Sequence, residues 1–308
     1  MALRIVIGDV TIGIQGQDFS YIFSVGCGGM ESLYKDGKEW LYRTPRPAFW
    51  RAVTDNDRGC GFAFRSAVWS AADRFVRCSR VEARMDGEEI AIPLAPANNK
   101  YTGKETCDRF EIIYTYETPT VPATEVTVTY TVETDGRIHV QADYCGKQGL
   151  PELPVFGMRF LMPTAAEGYT YEGLSGETYP DRMAGGIPGV YEVTPYMVPQ
   201  DCGMHMQTKW LEIVRKTSLD NTDRGERSSR LKITAEEGKH FAFSCLPYTA
   251  QELENAMHHE ELPPARRTVV SILGAVRGVG GINSWGADVE DAYHISGEQD
   301  ISYGFWID

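Results

Sequence analysis

Two runs of strictly alternating residues do most to fix what this chain can fold into. Val126, Val128, Tyr130 and Val132 alternate with polar residues, and Ile138, Val140, Ala142 and Tyr144 do the same beyond Asp135-Gly136. In a strand successive side chains point to opposite faces, so each run has one apolar and one polar face. A two-residue Asp135-Gly136 turn would pair residue 133 with 138 and put the two apolar sets on opposite faces. A three-residue loop, Thr134-Asp135-Gly136, pairs Val132 with Ile138 and Tyr130 with Val140 and keeps a single buried face. Gly136 then takes the left-handed position of a bulge, where glycine is least strained. The second register is therefore expected.

Similar short segments fill most of the chain. Leu3–Ile7, Thr11–Ile14, Tyr21–Val25, Glu111–Tyr116, Glu125–Val132, Arg137–Tyr144, Phe241–Ser244, Thr268–Val276 and Ile301–Ile307 read as strands, with Asp-Gly turns at 36–37, 86–87 and 135–136. One short helix is expected near 250–258. Thr249 and Glu252 have capping-box spacing ahead of Leu253 and Met257, which share a helical face, and Pro263-Pro264 bars continuation. The polar run Ser218–Arg230 reads as an exposed loop. The expectation is an all-β chain of large antiparallel sheets packed face to face, a single domain over 1–308.

Thirty basic against 43 acidic residues give a net charge of −13, which argues against nucleic acid or an anionic membrane as partner. The N-terminal apolar stretch is interrupted at Asp9, too early for a signal peptide, and there is no run of eighteen apolar residues. Cysteines 27, 60, 78, 107, 145, 202 and 245 are odd in number and never spaced C-x-x-C, so reduced, mostly buried thiols in a cytoplasmic protein are expected. His258 and His259 are adjacent and point apart, and histidines 139, 205, 240 and 294 are scattered, so no metal site is expected. Gly278-x-Gly280 lacks the third glycine of a dinucleotide fingerprint, and no pair of carboxylates stands out as acid and nucleophile.

Three motifs carry chemistry-bearing residues. In Phe49-Trp-Arg-Ala-Val-Thr-Asp-Asn-Asp-Arg-Gly59, bulky aromatics that need burial run into Asp55-Asn56-Asp57. One triplet supplies too few oxygens for a calcium cage. Side chains capping a tight turn, tied to Arg51, Arg58 or Arg182, fit better. In Tyr179-Pro180-Asp181-Arg182 a buried aromatic and an ion pair fit better than acid–base chemistry. Both motifs are assigned to architecture. Trp285 stands in Gly278-Val-Gly-Gly-Ile-Asn-Ser-Trp-Gly286, where glycines let backbone approach a neighbour closely and pose a side chain at a rim. From the residues alone, a core tryptophan is the commoner outcome.

The Phe49–Gly59 phrase resembles the opening of the C-terminal domain of the β-galactosidases, which also occurs as the separate small chain of two-subunit enzymes. Further segments are similar to that family in order: Tyr171–Arg182, Val193–Gln200, Lys209–Ile213, Tyr248–His258 and Gly280–Gly286. The resemblance covers the whole chain and implies a β-supersandwich of the galactose mutarotase kind. It implies that Trp285, with Asn283 and Ser284 beside it, contacts the sugar. It implies a large partner chain carrying a TIM barrel, two catalytic glutamates, magnesium and sodium, and a β-D-galactoside such as lactose as substrate.

What this chain lacks is consistent with that division. A retaining glycosidase needs two carboxyls about 5 Å apart, and a TIM barrel needs about 250 residues of alternating strand and helix. No such alternation is present, so no catalytic residue and no cofactor are expected in this chain, and an apolar surface is expected near the Trp285 loop. Two rivals stand beside this reading. A free-standing mutarotase or epimerase would need a histidine acid and a carboxylate base converging in a cleft. A carbohydrate-binding module would bind sugar without a partner.

Overall fold

The 125–144 hairpin forms in the three-residue register, with Val132 opposite Ile138 and Tyr130 opposite Val140. Gly136 takes a φ of 85°, and its N–H donates to the Glu133 carbonyl at 2.9 Å. Both apolar sets are buried. The other two Asp-Gly pairs close tighter hairpins, with Lys35 opposite Lys38 and Met85 opposite Glu88. There Asp36 and Asp86 themselves take positive φ, as a two-residue turn of the primed type requires.

A computed structural model describes residues 2–95, 97–194, 197–216, 227–283 and 285–308. The polar run from Ser218 therefore lies largely outside the described residues, as do Pro195 and Tyr196 of the Val193–Gln200 motif and Ser284. Among the described residues the strands form antiparallel sheets of ten, six and five strands. The ten-stranded sheet carries the hairpin at its centre, with Ile301–Ile307 on one side and Arg109–Glu117 on the other. Its inner face packs on both smaller sheets. Phe23 of the six-stranded sheet lies 5.6 Å from Tyr130, and Phe156 and Phe160 of the five-stranded sheet lie 5.5 Å from Tyr144 and 6.1 Å from Phe305. The expected all-β, face-to-face architecture is the one observed.

The expectation of one helix needs correction. α1 (Asp55–Gly59), α2 (Phe62–Arg65) and α3 (Val68–Phe75) follow the first motif, and α4 (Ala250–Asn255) is the expected one. α4 has its capping box, since Thr249 Oγ1 accepts from the Glu252 N–H and Glu252 accepts from Thr249. Leu253 is buried, but Met257 lies beyond the helix and is exposed, because Ala256 already leaves helical geometry. Of the cysteines only 107, 202 and 245 are buried; 60 and 78 are intermediate, and 27 and 145 are exposed. No disulfide joins them. No helix among the described residues is long and apolar enough to cross a membrane.

Candidate functional site

The segment before α1 is clamped from two sides. The N–H groups of Phe49 and Trp50 donate to Asp73 of α3 at 2.9 and 3.2 Å. Those of Val53 and the Trp50 indole donate to Glu254 of α4 at 3.1 and 2.9 Å. Both aromatic rings are thereby buried, as their type demands.

Asp55-Asn56-Asp57 starts a helix instead of capping a tight turn. Thr54 is the N-cap: its hydroxyl accepts from the Asp57 N–H, while the Asp57 carboxylate accepts from the Thr54 N–H at 2.9 Å. Asp57 is also gripped by Arg51 through contacts of 2.6 and 3.2 Å, and reached by Arg277 at 3.5 Å. All three side chains are fully buried, with at most 4% of any of these residues exposed. Arg277 stacks on Phe62, 3.8 Å from the ring centre, and bonds Asp288 and Glu152. Buried charge persists only when paired in this way. Asp55 pairs with Arg58 at the surface.

This knot forms the base of the 278–286 loop. Arg51 and Arg277 both donate to the Gly278 carbonyl, at 3.4 and 3.3 Å. Asn56 donates to the Val279 carbonyl at 3.2 Å, and Arg182 to that of Gly280. Asp181 accepts from the N–H groups of Val279 and Gly280 at 3.0 and 2.7 Å. The ion pair expected within Tyr179–Arg182 is therefore not made; both charged residues hold the loop backbone. Close approach explains the glycines: a Cβ at Gly281 would meet Asn56 Nδ2 at 2.7 Å, and one at Gly286 would meet the Gly59 carbonyl oxygen at 2.7 Å.

Beyond this base the loop tip stands in solvent. Trp285 is 90% exposed, so it is no core residue, and Ile282 is 63% exposed. Asn283 accepts from the Trp285 and Ala287 N–H groups at 2.9 and 3.2 Å, shaping the turn that presents the indole. Phe64 of α2 is 89% exposed, and its neighbour Arg65 bonds Asp288 at 2.6 Å, so α2 borders the same loop. Phe64, Ile282 and Trp285 are thus exposed apolar side chains on and beside the loop.

On the other flank of Asn56 lies a polar cleft of about 450 Å³, lined by Asp55, Asn56, Glu177, Arg182, Gln200 and Asp201 among others. Tyr179 is buried below it and donates to Asp201 at 2.9 Å. Burial pushes the Asp201 carboxyl up to about 6, against the pull of Arg51 and the Tyr179 hydroxyl. Arg277, Asp288 and Asp201 had no local signal in the sequence, while Glu177 and Gln200 lie within the Tyr171–Arg182 and Val193–Gln200 segments, where neither was singled out as a site residue. Thr54-x-x-Asp57 did carry one, a capping box with Asp in place of Glu.

The histidines give no mutarotase pair among the described residues. His205 is 3% exposed, donates Nδ1–H to the Gly176 carbonyl at 2.8 Å and so accepts the Tyr169 hydroxyl at Nε2. Burial lowers it to about 4. His139 and His294 bond Glu236 and Glu152 directly, at 2.8 and 2.7 Å, which leaves no space for a sugar between acid and base. No three His, Cys, Asp or Glu side chains among the described residues converge as a metal site would.

The chain is similar to known proteins along its full length. The sequence profile of the family described as β-galactosidase small chain matches residues 15–307. The β-galactosidase small subunit of Latilactobacillus sakei is 56% identical over 310 residues, covering 99% of this chain and 97% of that one. A β-galactosidase of Halalkalibacterium halodurans is 34% identical over 316 residues, and there this chain spans only 28% of the relative. Among solved structures, a galactose mutarotase-like protein from Lactobacillus casei aligns over 97% of this chain and 99% of that one, with a TM-score of 0.44 and 9% identity. With 56% identity across nearly the whole of both sequences, this chain belongs to the β-galactosidase small-chain family.

Proposed function

We propose that this chain is the small subunit of a heteromeric β-galactosidase and completes the rim of an active site whose catalytic groups lie on a large partner. The observation that carries this reading is Trp285, 90% exposed on a loop whose base is hydrogen-bonded to Arg51, Asn56, Asp181, Arg182 and Arg277. An indole face packs on the apolar C–H face of a sugar ring. Displayed alone on a fixed loop, it offers binding area and orientation and no proton transfer.

In this reading the large chain carries the TIM barrel, both glutamates and the magnesium and sodium ions, and the complex hydrolyses terminal β-D-galactosides such as lactose in the cytoplasm. The relatives support a division of this kind. The L. sakei relative is named a small subunit and matches end to end, whereas this chain matches about a quarter of the H. halodurans β-galactosidase. The apolar tip formed by Ile282 and Trp285, with Phe64 on the bordering helix, is the surface the partner would border.

The test uses the purified chain and a chromogenic β-galactoside. Turnover is expected only after the large chain is added. Turnover by the isolated chain, abolished by a substitution in this chain, would overturn the reading.

A further inference from the structure

The polar cleft beside the Trp285 loop has no part in the reading above. Its volume, about 450 Å³, lies in the usual range for small-ligand sites. Its lining combines carboxylates (Asp55, Glu177, Asp201), amides (Asn56, Gln200) and one guanidinium, Arg182. Such a mixture serves a ligand that both donates and accepts along its length, as a polyhydroxylated one does. A metal ion fits poorly, because no three liganding groups converge among the described residues.

One buried polar group behind the cleft is under-used. Arg51 Nε has no hydrogen-bond partner and lies 4.0 Å from Asp201 Oδ2. Asp201, which lines the cleft, accepts the Tyr179 hydroxyl at Oδ2. An unsatisfied buried donor of this kind is costly in a finished fold and calls for a ligand or water to complete it.

The position of the cleft supplies the rest. α1 connects it to the loop tip: Asn56 lines the cleft and holds Val279, while Gly59 packs against Gly286, the neighbour of Trp285.

We infer that the cleft is an acceptor-side subsite that binds the sugar one ring beyond the ring stacked on Trp285, so that the assembled enzyme favours tri- and longer saccharides. This rests on the sugar-contact reading of Trp285. In β-galactosyl-lactose the scissile galactose enters the large chain's pocket, the central galactose meets Trp285, and the terminal glucose reaches Asp55, Gln200 and Asp201.

The experiment compares KM for β-galactosyl-lactose and for lactose in the reconstituted two-chain enzyme. Gln200 is the probe, because its side chain makes no hydrogen bond among the described residues and its removal spares the fold. Gln200→Trp, which fills the cleft, and Gln200→Ala, which strips a partner, are expected to raise the ratio of trisaccharide to lactose KM threefold to tenfold. An unchanged ratio in both variants overturns the subsite. Trp285→Ala separates the two layers of the argument. It should raise both KM values together, and if it moves neither, the sugar-contact reading has failed and the subsite falls with it.

Discussion

The base and the tip of the 278–286 loop are opposite solutions to burial. At the base three charged side chains, Arg51, Asp57 and Arg277, are almost wholly enclosed. At the tip an indole and an isoleucine, which a folded chain would ordinarily enclose, stand in water. Enclosing charge gives little net stability, because the attraction within a buried pair is offset by the loss of hydration. What it gives here is register: the arginines and Asp181 fix the backbone of Gly278, Val279 and Gly280 within hydrogen-bond tolerance. A fixed base means that the tip is oriented before anything binds to it, which lowers the entropy that binding would lose. The motifs that look most chemical in the sequence therefore do positioning, and the apolar residue is the one left free to make contact.

Breaking the base should have the largest effect. Asp57→Ala leaves two buried guanidinium groups facing each other and removes the acceptor of the α1 capping box. A loss of about 3–5 kcal/mol is expected, read from denaturant unfolding of the isolated chain. A loss below about 1 kcal/mol would mean that the arginines find other partners and that Asp57 is no anchor.

Removing the tip should do the reverse. Trp285→Ala should leave the melting temperature of the isolated chain unchanged, since 90% of the residue is already in water. In the assembled enzyme it should raise KM for lactose. An aromatic stacking contact is worth about 1–3 kcal/mol, which corresponds to roughly tenfold to a hundredfold. A core tryptophan would instead cost about 3–5 kcal/mol of stability. A drop in melting temperature with KM unchanged would therefore reverse the assignment.

What could be read from the sequence divides along the same line. The 125–144 hairpin was legible because its information is local: side-chain alternation and one glycine decide the register. The glycines of the 278–286 loop correctly signalled close backbone approach. They could not name the neighbours, because Asp181 and Asn56 lie about one hundred and more than two hundred residues away, as with Asn56 and Val279, 223 apart. Arg277 was invisible for the same reason, being 220 residues from Asp57. The helices α1 to α3 are a different failure. Asp-Asn-Asp favours turns and helix starts alike. These helices have only five, four and eight residues, too few for apolar periodicity to settle the choice.

The cleft offers the finest test, because the titration of its Asp201 opposes that of His205, which is buried away from it against Tyr171 and Phe243. Asp201 is held up to about 6 by burial, so the folded chain keeps its proton where the unfolded chain, near 3.8, has lost it. Between those values the folded state binds more protons, and the contribution of Asp201 to stability falls as pH rises. His205 is held down to about 4 against an ordinary 6.5. Over that window the unfolded state binds more protons, so its contribution rises with pH. The two slopes oppose each other between pH 4 and 6. Asp201→Asn keeps a polar group beside the Tyr179 hydroxyl and removes the first slope alone. The variant should gain on the order of 1–3 kcal/mol relative to the native chain as pH goes from 4 to 7. Urea unfolding at half-unit pH steps reads the difference directly. Parallel curves for the two proteins would mean that Asp201 is ionised throughout, hydrated in an open cleft, and that the floor of the proposed subsite is less enclosed than its contacts with Tyr179 and Arg51 imply.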